Sequence, residues 1–267
     1  MKLGHVVLVG AGNMGSAMLC GWPTGEGTRV TVLDPAPSEA VRQLANERDV
    51  ALFSEPSGIE PADILVVAVK PQAMAAVLPG LRPLVGEGTT VVSVAAGTTV
   101  ATLAEALDTK RIVRTIPNTP AMVGEGVTGA YADPSVTERG GVEKLLVASG
   151  AVVWVESEAD IDRVTAVSGS GPAYVFHLVE ALAEAGRATG LDADDAMLLA
   201  RRTVIGAAAL LKASDEDAGT LRERVTSPNG TTAAALDVLR SEGALTELMT
   251  RAVKAAHERA VELGRSA

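Results

Sequence analysis

Three glycines near the start of the chain have the spacing of a phosphate-binding turn. Gly10, Gly12 and Gly15 follow the apolar run at residues 6–9 and precede a segment with helical periodicity. In such a turn the first glycine permits a tight bend, the second lets backbone approach a pyrophosphate, and the third lets helix and strand pack closely. The helix N-terminus then presents N–H groups to the anion. We therefore predict a dinucleotide site; the alternative is a glycine-rich turn that binds no nucleotide.

An acidic residue follows the second apolar run of the chain. Asp34 ends the sequence TVLD, and no arginine follows it until Arg42, which falls inside the next predicted helix. A carboxylate at this place accepts hydrogen bonds from ribose hydroxyls and repels a 2′-phosphate. Asp34 therefore predicts NAD(P)H binding with a preference for NADH. The alternative is that Asp34 is a helix N-cap or a turn acid before Pro35.

Three later loops are expected to line the nicotinamide half of the same site, because the carboxyl ends of parallel strands meet at one edge of a sheet. They read AVKPQ, VAAGT and RTIPNTP and begin at Ala68, Val94 and Arg114. Lys70 is interpreted as a structural residue or a cation that attracts phosphate, and not as a catalytic group. The predicted cofactor-binding residues are Gly10, Ala11, Gly12, Asn13, Met14, Gly15, Asp34, Ala68, Val69, Lys70, Pro71, Ala95, Ala96 and Gly97.

Two hydroxyl-rich segments in the second half of the chain differ from ordinary helix core. Residues 168–171 read SGSG and precede an apolar helix, which suits either a ligand site or a tight helix–helix contact. Residues 227–232 read SPNGTT and form a turn that leads directly into a helix. The N–H groups at such a helix start, flanked by hydroxyls, suit a small carboxylate. Since a helix cap needs one Ser or Thr rather than three, we favour an anion site there over a simple cap.

The elements that must position these residues change in character along the chain. Up to about residue 155, short β-branched runs alternate with amphipathic stretches, which is typical of βαβ units in a parallel sheet covered on both faces. We predict strands over residues 6–9, 29–33, 64–69, 89–94 and 111–115, an edge strand over 151–155, and helices over 38–47 and 100–107. The predicted fold is α/β, with an N-terminal Rossmann doubly wound parallel sheet over residues 1–157.

The rest of the chain has the pattern of packed helices. After residue 160 no strand is predicted, and Ala, Leu, Glu and Arg recur at spacings of three and four. We predict helices over residues 172–189, 193–212, 231–241 and 243–263. Pro172 suits the first turn of a helix, where its missing N–H is not needed. Residues 158–267 are therefore predicted to form an all-α domain.

Composition and charge limit the classes of partner and compartment. The 267 residues suffice for two domains with their own cores. The net charge of −10 disfavours nucleic acid or an anionic membrane as main partner, because both need a basic surface. A single cysteine, Cys20, suits a reducing compartment. No apolar segment has the length of a membrane helix or a secretory signal, so we expect a cytoplasmic protein. Cys20 and the three histidines lack ligand spacing, and no metal site is predicted.

The motifs together resemble one enzyme family. SGSGPAY and VTSPNGTT, with LDADDAMLLARRTVIGAAALL between them, are similar to the pyrroline-5-carboxylate reductase family. The resemblance extends over essentially the whole chain and includes GAGNMG, AVKPQ, AAGT and RTIPNTPA in that order. It implies NAD(P)H-dependent reduction of the cyclic imine pyrroline-5-carboxylate to L-proline, the last step of proline biosynthesis. It also implies that the helical domain forms a homodimer or a larger assembly of dimers.

The same resemblance implies where the substrate binds. Thr232 is predicted to be the catalytic hydroxyl that hydrogen-bonds the imine nitrogen, and Glu158 matches an acid associated with the product site. The predicted substrate-binding residues are Glu158, Thr165, Ser168, Gly169, Ser170, Gly171, Ser227, Gly230, Thr231 and Thr232. Asn229 stands where the family usually has glycine; because asparagine tolerates left-handed dihedrals, we expect the turn to survive. Asp34 stands where many members have Ser or Arg, which bears on cofactor preference.

Three alternative functions are compatible with parts of this sequence. A β-hydroxyacid dehydrogenase of similar architecture would use a catalytic lysine on a helix of the second domain, and no lysine occurs between Lys144 and Lys212. A reductase of a related cyclic imine stays open, because ring size depends on pocket contacts that sequence does not show. A non-catalytic dinucleotide-binding sensor is disfavoured by the intact serines, glycines and threonines of both substrate segments.

Overall fold

The computed structural model describes residues 2–25 and 27–265, which form two compact units. The first unit comprises the described residues up to Ser170 together with those from Ala256 onward, and the second is Gly171–Ala255. The predicted domain ranges also include residues 1, 26, 266 and 267, which lie outside the described part of the chain.

A single mixed sheet runs through the first unit. In the described residues its strands are β1 Gly4–Val9, β2 Thr28–Leu33, β3 Ala51–Phe53, β4 Ala62–Val67, β5 Val85–Ser93, β6 Ile112–Ile116, β7 Gly126–Ala132 and β8 Gly150–Trp154. Their order is β3-β2-β1-β4-β5-β6-β7-β8. Strands β1 to β6 are parallel, whereas β7 pairs antiparallel with β6 and parallel with β8. Since the first six strands have the Rossmann order, the predicted doubly wound sheet is confirmed.

Helices cover the sheet and make up the second unit. They are α1 Asn13–Gly21, α2 Glu39–Glu47, α3 Met74–Val77, α4 Val100–Leu107, α5 Gly140–Leu146, α6 Ala159–Val164, α7 Gly171–Ala188, α8 Ala193–Ala213, α9 Ala218–Arg224, α10 Thr231–Arg240 and α11 Ala244–Arg265. The prediction of an all-α second half is confirmed by α7 to α11. Among the described residues, none of these helices has both the length and the apolar character needed to cross a membrane.

The core of the first unit lies on both faces of the sheet. Side chains alternate along a strand, so Val6 and Leu8 pack with apolar residues of α1, α2 and α5. Val7 and Val9 point to the opposite face and pack with residues of α3 and α4. The central strands are therefore buried on both faces, which explains why they read as largely apolar runs in the sequence.

The observed elements differ from the predicted ones mainly where a strand or helix is short or poor in apolar residues. The prediction omitted β3, which has three residues, and β7, whose sequence GVTGAYA has no apolar run. The sequence pattern also predicts a domain boundary near residue 157, and this boundary stays a prediction. Helix α6 contacts β6 and β7, and the compact first unit accordingly continues to Ser170.

Small residues allow close packing inside the second unit. Ala183 of α7 and Ala196 and Ala200 of α8 are buried. A Cβ atom added to Gly186 would lie 3.4 Å from the Ala196 Cβ atom, so the glycine lets α7 and α8 approach closely. In the single chain, however, many large apolar side chains of α7 and α8 remain exposed. They include Val175, Phe176, Leu178, Leu198, Leu199, Ile205, Leu210 and Leu211.

A histidine side chain is buried within the sheet. His5 lies in β1, 6% exposed, with its Nδ1 atom 3.2 Å from the Pro61 carbonyl oxygen and its Nε2 atom 3.0 Å from Thr31 Oγ1. Because a carbonyl oxygen can only accept, Nδ1 carries a proton, and in the neutral imidazole the Thr31 hydroxyl donates to Nε2. Burial is the main cause that lowers the pKa of His5 below its ordinary value of 6.5. Burial in the folded chain therefore favours the neutral form of His5.

This arrangement predicts a pH-dependent stability. Since the pKa of His5 is lower in the folded than in the unfolded chain, the unfolded chain binds the additional proton at mildly acidic pH. The His5 contribution to the free energy of unfolding is then complete above the unfolded pKa and is lost as the pH falls through the folded pKa. Urea unfolding between about pH 7.5 and pH 5.5 measures it. His5→Gln, which keeps a donor and an acceptor, should reduce this pH dependence; equal pH dependence in both proteins contradicts the assignment.

Candidate active site

The candidate cofactor site lies at the carboxyl-terminal edge of the parallel strands. The strand order reverses between β1 and β4, which is where Rossmann sheets open a crevice. A cavity of about 510 Å³ lies there. Its lining includes the predicted residues Gly10, Gly12, Asp34, Ala68, Val69 and Lys70. It also includes Ser54 and Pro56, which follow β3 and were missed because that strand was not predicted.

Each glycine of the first turn has a different structural requirement. Gly10 has a φ of +86°, a conformation that L side chains rarely adopt. A Cβ atom on Gly15 would lie 2.1 Å from the Gly10 carbonyl oxygen, so only glycine lets α1 begin this close to β1. A Cβ atom on Gly12 would meet no other atom within 4 Å. Gly12 is therefore not required by protein packing, and the open space beside it lets a ligand approach the backbone.

The start of α1 suits an anionic group. Gly12 is the N-cap residue of α1, no side chain caps this end, and its first turn contains no acid. Asn13 is exposed and Met14 is half-buried, so the first turn faces outward. N–H groups at an uncapped helix start bind phosphate. Together with the open space at Gly12, these residues fit the pyrophosphate of a dinucleotide.

Asp34 connects the glycine turn to the end of β2. Its Oδ2 atom accepts a hydrogen bond from the Ala11 N–H group at 2.7 Å, and its Oδ1 atom accepts one from the Ala36 N–H group at 2.9 Å. The second bond forms a local turn of the kind expected for an acid before a proline. Asp34 thus has the structural contacts of the turn-acid alternative, and it also lines the cavity.

The later loops carry the rest of the predicted cofactor residues. Lys70 is exposed and Pro71 begins a short 3₁₀ turn directly after it. Ala95 and Gly97 are buried and Ala96 is half-buried in the loop between β5 and α4. Gly97 has a φ of +79°, which favours glycine at that position. The sheet therefore gathers all the predicted cofactor-binding residues at one edge of the first unit.

A buried ion-pair cluster lies beside this edge. Arg114 of β6 is 3% exposed. Its Nη1 atom lies 3.1 Å from Glu158 Oε1, and its Nη2 atom lies 3.1 Å from Asp162 Oδ1. Glu158 Oε1 also accepts a hydrogen bond from the Val100 N–H group at 2.8 Å. The structure therefore places Glu158, a predicted substrate residue, between α6, β6 and the start of α4.

The SGSG segment is reached through a π-helical turn. Thr165–Gly169 has π-helical hydrogen bonding, and the Ser170 N–H group donates to the Thr165 carbonyl oxygen at 2.9 Å. The Thr165 hydroxyl donates to the Ile161 carbonyl oxygen at 2.7 Å, and the Ser168 hydroxyl to the Val164 carbonyl oxygen at 3.1 Å. Both hydroxyl oxygens therefore retain acceptor capacity only. Single π-helical turns within α-helices occur frequently at functional sites.

Packing within the first unit does not explain the glycine of this segment. A Cβ atom on Gly169 would lie 3.5 Å from Thr165 Cγ2, which is an ordinary contact distance.

The carbonyl oxygen of Ser168 accepts a hydrogen bond from Asn118 Nδ2 at 3.1 Å, and Asn118 Oδ1 accepts one from the Val127 N–H group at 2.8 Å. Asn118 therefore attaches the segment to β7.

The second unit contains the other predicted substrate segment. Asn229 has a φ of +61°, so asparagine adopts the left-handed conformation expected at this position. A Cβ atom on Gly230 would lie 2.4 Å from Ser227 Oγ, which explains the glycine. Gly230 is the N-cap residue of α10, and no side chain caps that helix. Thr231 and Thr232 occupy its first turn, exposed and half-buried respectively.

The predicted substrate residues thus fall into two sets, each described within its own unit. Glu158, Thr165, Ser168, Gly169 and Ser170 follow one another along a helical segment of the first unit. Gly171, Ser227, Gly230, Thr231 and Thr232 belong to the second unit.

Sequence reasoning missed the roles of Arg114, Asn118 and Asp162. A charged residue inside the apolar run of β6 and two acids four residues apart, Glu158 and Asp162, were the available signals. Buried arginine requires such partners.

The remaining titratable residues do not form a metal site in the described part of the chain. No group of three His, Cys, Asp or Glu side chains there is arranged to hold a metal ion. His177 is exposed on α7 and pairs with Glu180, and His5 is buried in the sheet. Neither histidine lies in the two sets of predicted substrate residues.

Comparison with known proteins covers both halves of the chain. A family model described as pyrroline-5-carboxylate reductase dimerisation matches residues 158–263. One described as NADP oxidoreductase, coenzyme F420-dependent, matches residues 5–97. The chain is 39% identical to the pyrroline-5-carboxylate reductase of Pseudomonas aeruginosa and 38% identical to that of Vibrio alginolyticus, over 98% of both chains in each case. This chain belongs to the pyrroline-5-carboxylate reductase family.

Solved structures of pyrroline-5-carboxylate reductases have the same fold over their full length. The enzyme of Coxiella burnetii is 35% identical, with a TM-score of 0.90 over 98% of this chain and 99% of that chain. The pyrroline carboxylate reductase of Plasmodium falciparum, solved with NADP bound, is 28% identical, with a TM-score of 0.78 over 99% of each chain. The family resemblance deduced from the motifs is therefore confirmed, as are an NAD(P)-binding Rossmann unit and a dimerisation segment.

The different requirements at Gly12 and Gly15 give a testable pair of variants. Gly12→Ala should lower the midpoint of thermal unfolding only by the small cost of alanine at an N-cap, because its Cβ atom meets no protein atom. The same Cβ atom occupies the space over the start of α1, so the dissociation constant for NADH should rise about tenfold. Gly15→Ala should lower both thermal stability and NADH affinity, because its Cβ atom collides with the Gly10 carbonyl oxygen. Fluorescence titration and calorimetry measure both; undiminished NADH binding by Gly12→Ala contradicts the assignment.

Proposed function

We propose that this chain is a pyrroline-5-carboxylate reductase that reduces the five-membered cyclic imine to L-proline, the last step of proline biosynthesis. The observation that carries the proposal is the start of α10, which is uncapped, lies directly after the Ser227–Gly230 turn and bears two threonines. Full-length relatives named for this activity support it. The substrate has a carboxylate and a ring nitrogen, and this helix start offers groups for both.

The carboxylate of the substrate is assigned to the N-terminus of α10. Its first N–H groups have no side-chain cap, and the partial positive charge of a helix start stabilises an anion. The Asn229 conformation and the close contact of Gly230 with Ser227 keep the turn before the helix compact. Ser227 and Thr231 are exposed and supply further hydroxyl donors. Held in this way, the imine ring has a defined orientation, and most of the rate enhancement is positional.

Thr232 is the proposed hydrogen-bond donor to the imine nitrogen. It is half-buried in the first turn of α10, one residue after Thr231. When bound, the reduced nicotinamide supplies the hydride for the imine carbon. The Thr232 hydroxyl orients and polarises the nitrogen, which needs a proton, and solvent delivers that proton because no histidine belongs to the set.

The exposed apolar side chains on the helices of the second unit support a homodimer as the active form. Phe176, Ile205 and Leu210 are 65%, 56% and 61% exposed in the single chain. Extended apolar surface of this kind marks a protein–protein interface. The dimerisation model that matches residues 158–263 supports the same proposal. A cytoplasmic location is proposed from the single cysteine and the nucleotide-dependent reaction.

Cofactor preference and activity can be tested in one experiment. Oxidation of NADH and of NADPH with pyrroline-5-carboxylate should show turnover with both, and kcat/KM should be higher with NADH because the Asp34 carboxylate repels a 2′-phosphate. Asp34→Asn removes the charge and keeps one acceptor oxygen for Ala11 or Ala36. The ratio of NADPH to NADH kcat/KM should then rise about tenfold, or 1.4 kcal/mol.

The outcomes separate the two proposals. Affinity for both nucleotides should fall in Asp34→Asn, because one N–H group loses its partner. A wild-type preference for NADPH contradicts the NADH assignment alone. Cofactor binding without turnover of any cyclic imine contradicts the reductase and favours a sensor, and faster turnover of a six-membered imine favours the related-imine alternative.

The role of Thr232 is tested by removing its hydroxyl. Thr232→Ala should lower kcat/KM by about 10- to 100-fold, or about 1.4 to 2.8 kcal/mol, because the imine nitrogen loses its donor in the transition state. Thr232→Ser keeps the hydroxyl and should stay close to wild type, whereas Thr232→Val keeps the shape and should behave like Thr232→Ala. Undiminished turnover by Thr232→Val removes Thr232 from the mechanism.

A further inference from the structure

The most deeply buried charge described above is the guanidinium of Arg114. It is held by two carboxylates, Glu158 and Asp162, one on each terminal nitrogen. The Arg114 side chain is 4% exposed, whereas those of Glu158 and Asp162 are 30% and 16% exposed. Because each terminal nitrogen has its own carboxylate partner, two charge-assisted bonds constrain the orientation of the guanidinium. Neither carboxylate nor guanidinium has a part in the proposed chemistry.

Glu158 connects this cluster to the carboxyl-terminal edge of the parallel strands, where the candidate cofactor site lies. The same Oε1 atom that accepts from Arg114 accepts from the N–H group of Val100. Val100 is the first residue of α4, and the predicted cofactor residues Ala95 and Gly97 lie in the loop immediately before it. The carboxylate therefore holds the start of α4, and through it the end of the cofactor loop, in a defined place.

The opposite side of the cluster determines the placement of α6. Glu158 directly precedes α6 and Asp162 lies one turn further along, so the two nitrogens of one guanidinium hold two successive turns. This fixes both the rotation and the translation of the helix. Helix α6 continues without a break into Thr165–Gly169, whose Ser168 carbonyl oxygen is held by Asn118.

We propose that Arg114 and Glu158 are positioning residues that align the cofactor loop of residues 95–97 with the hydroxyl-bearing segment of residues 168–170. Glu158 then acts on the Val100 N–H group and on Arg114, and is not a ligand of substrate or product. The part of this proposal that concerns residues 168–170 and the imine rests on the proposed function. The part that concerns residues 95–97 depends only on dinucleotide binding.

The two carboxylates provide a matched pair for the test. Both bind Arg114, but only Glu158 also binds the start of α4. Glu158→Ala should therefore raise the dissociation constant for NADH and the KM for the imine, each about tenfold, whereas Asp162→Ala should raise the imine KM and leave the NADH constant within about twofold. Glu158→Gln keeps an oxygen that accepts from both donors and should restore NADH affinity to within about threefold of wild type.

The measurements distinguish positioning from the two other roles of Glu158. NADH binding is titrated by fluorescence without imine, and imine KM, kcat and thermal stability are measured separately; Glu60→Gln, which removes the exposed pair with Arg29, is the control. Unchanged NADH affinity with a raised imine KM in Glu158→Ala makes Glu158 a substrate ligand and overturns the proposal. Lower stability with unchanged constants makes the cluster merely structural and also overturns it.

The positioning role of Glu158 can still be tested if Glu158→Ala does not fold. If Glu158→Ala does not fold, Glu158→Asp replaces it, because the shorter side chain cannot reach both Val100 and Arg114. It should weaken NADH binding where Asp162→Asn does not, and equal NADH binding by these two variants overturns the proposal. If the wild-type enzyme turns over no imine, the proposed function fails, while the NADH titrations still decide whether Glu158 positions the cofactor loop.

Discussion

The close approach of Gly15 to the Gly10 carbonyl oxygen is the contact on which the cofactor edge depends. With no side chain between them, α1 begins directly over the end of β1 and its N–H groups open toward the cavity. Asp34 adds a second constraint, because its carboxylate joins the glycine turn to the end of β2. The backbone of the glycine turn and the Asp34 carboxylate therefore define this side of the cavity.

The parts of this arrangement that depend on local patterns could be predicted from sequence. Apolar runs specified β1, β2, β4 and β6 because these strands are buried on both faces, and α4 was predicted over residues 100–107 as observed. Asparagine at 229 was expected to keep the turn, and it does so with left-handed dihedrals. A strand of three residues and a strand of glycine and alanine, β3 and β7, carry too little of either pattern to be recognised.

The parts that depend on distant pairing could not be predicted. Glu158 was associated with the product site by resemblance, but its hydrogen-bond partners come from residues 44 and 58 positions away. Nothing in the spacing of Arg114, Val100 and Asp162 indicates that they share one cluster, because that depends on where the sheet brings β6 and α4. The two bonds of Asp34 have the same origin: one is local and was expected, and the other reaches back 23 residues.

The exposed apolar faces of α7 and α8 also affect how the protein responds to dilution. A unit with few buried side chains of its own, mainly alanines, gains much of its hydrophobic stabilisation from whatever covers Phe176, Leu198 and Ile205. In the proposed homodimer that cover is a second copy, and mass action would then link folding to protein concentration. In that dimer the apparent unfolding temperature of the helical half would increase with concentration, whereas the sheet has a core within one chain.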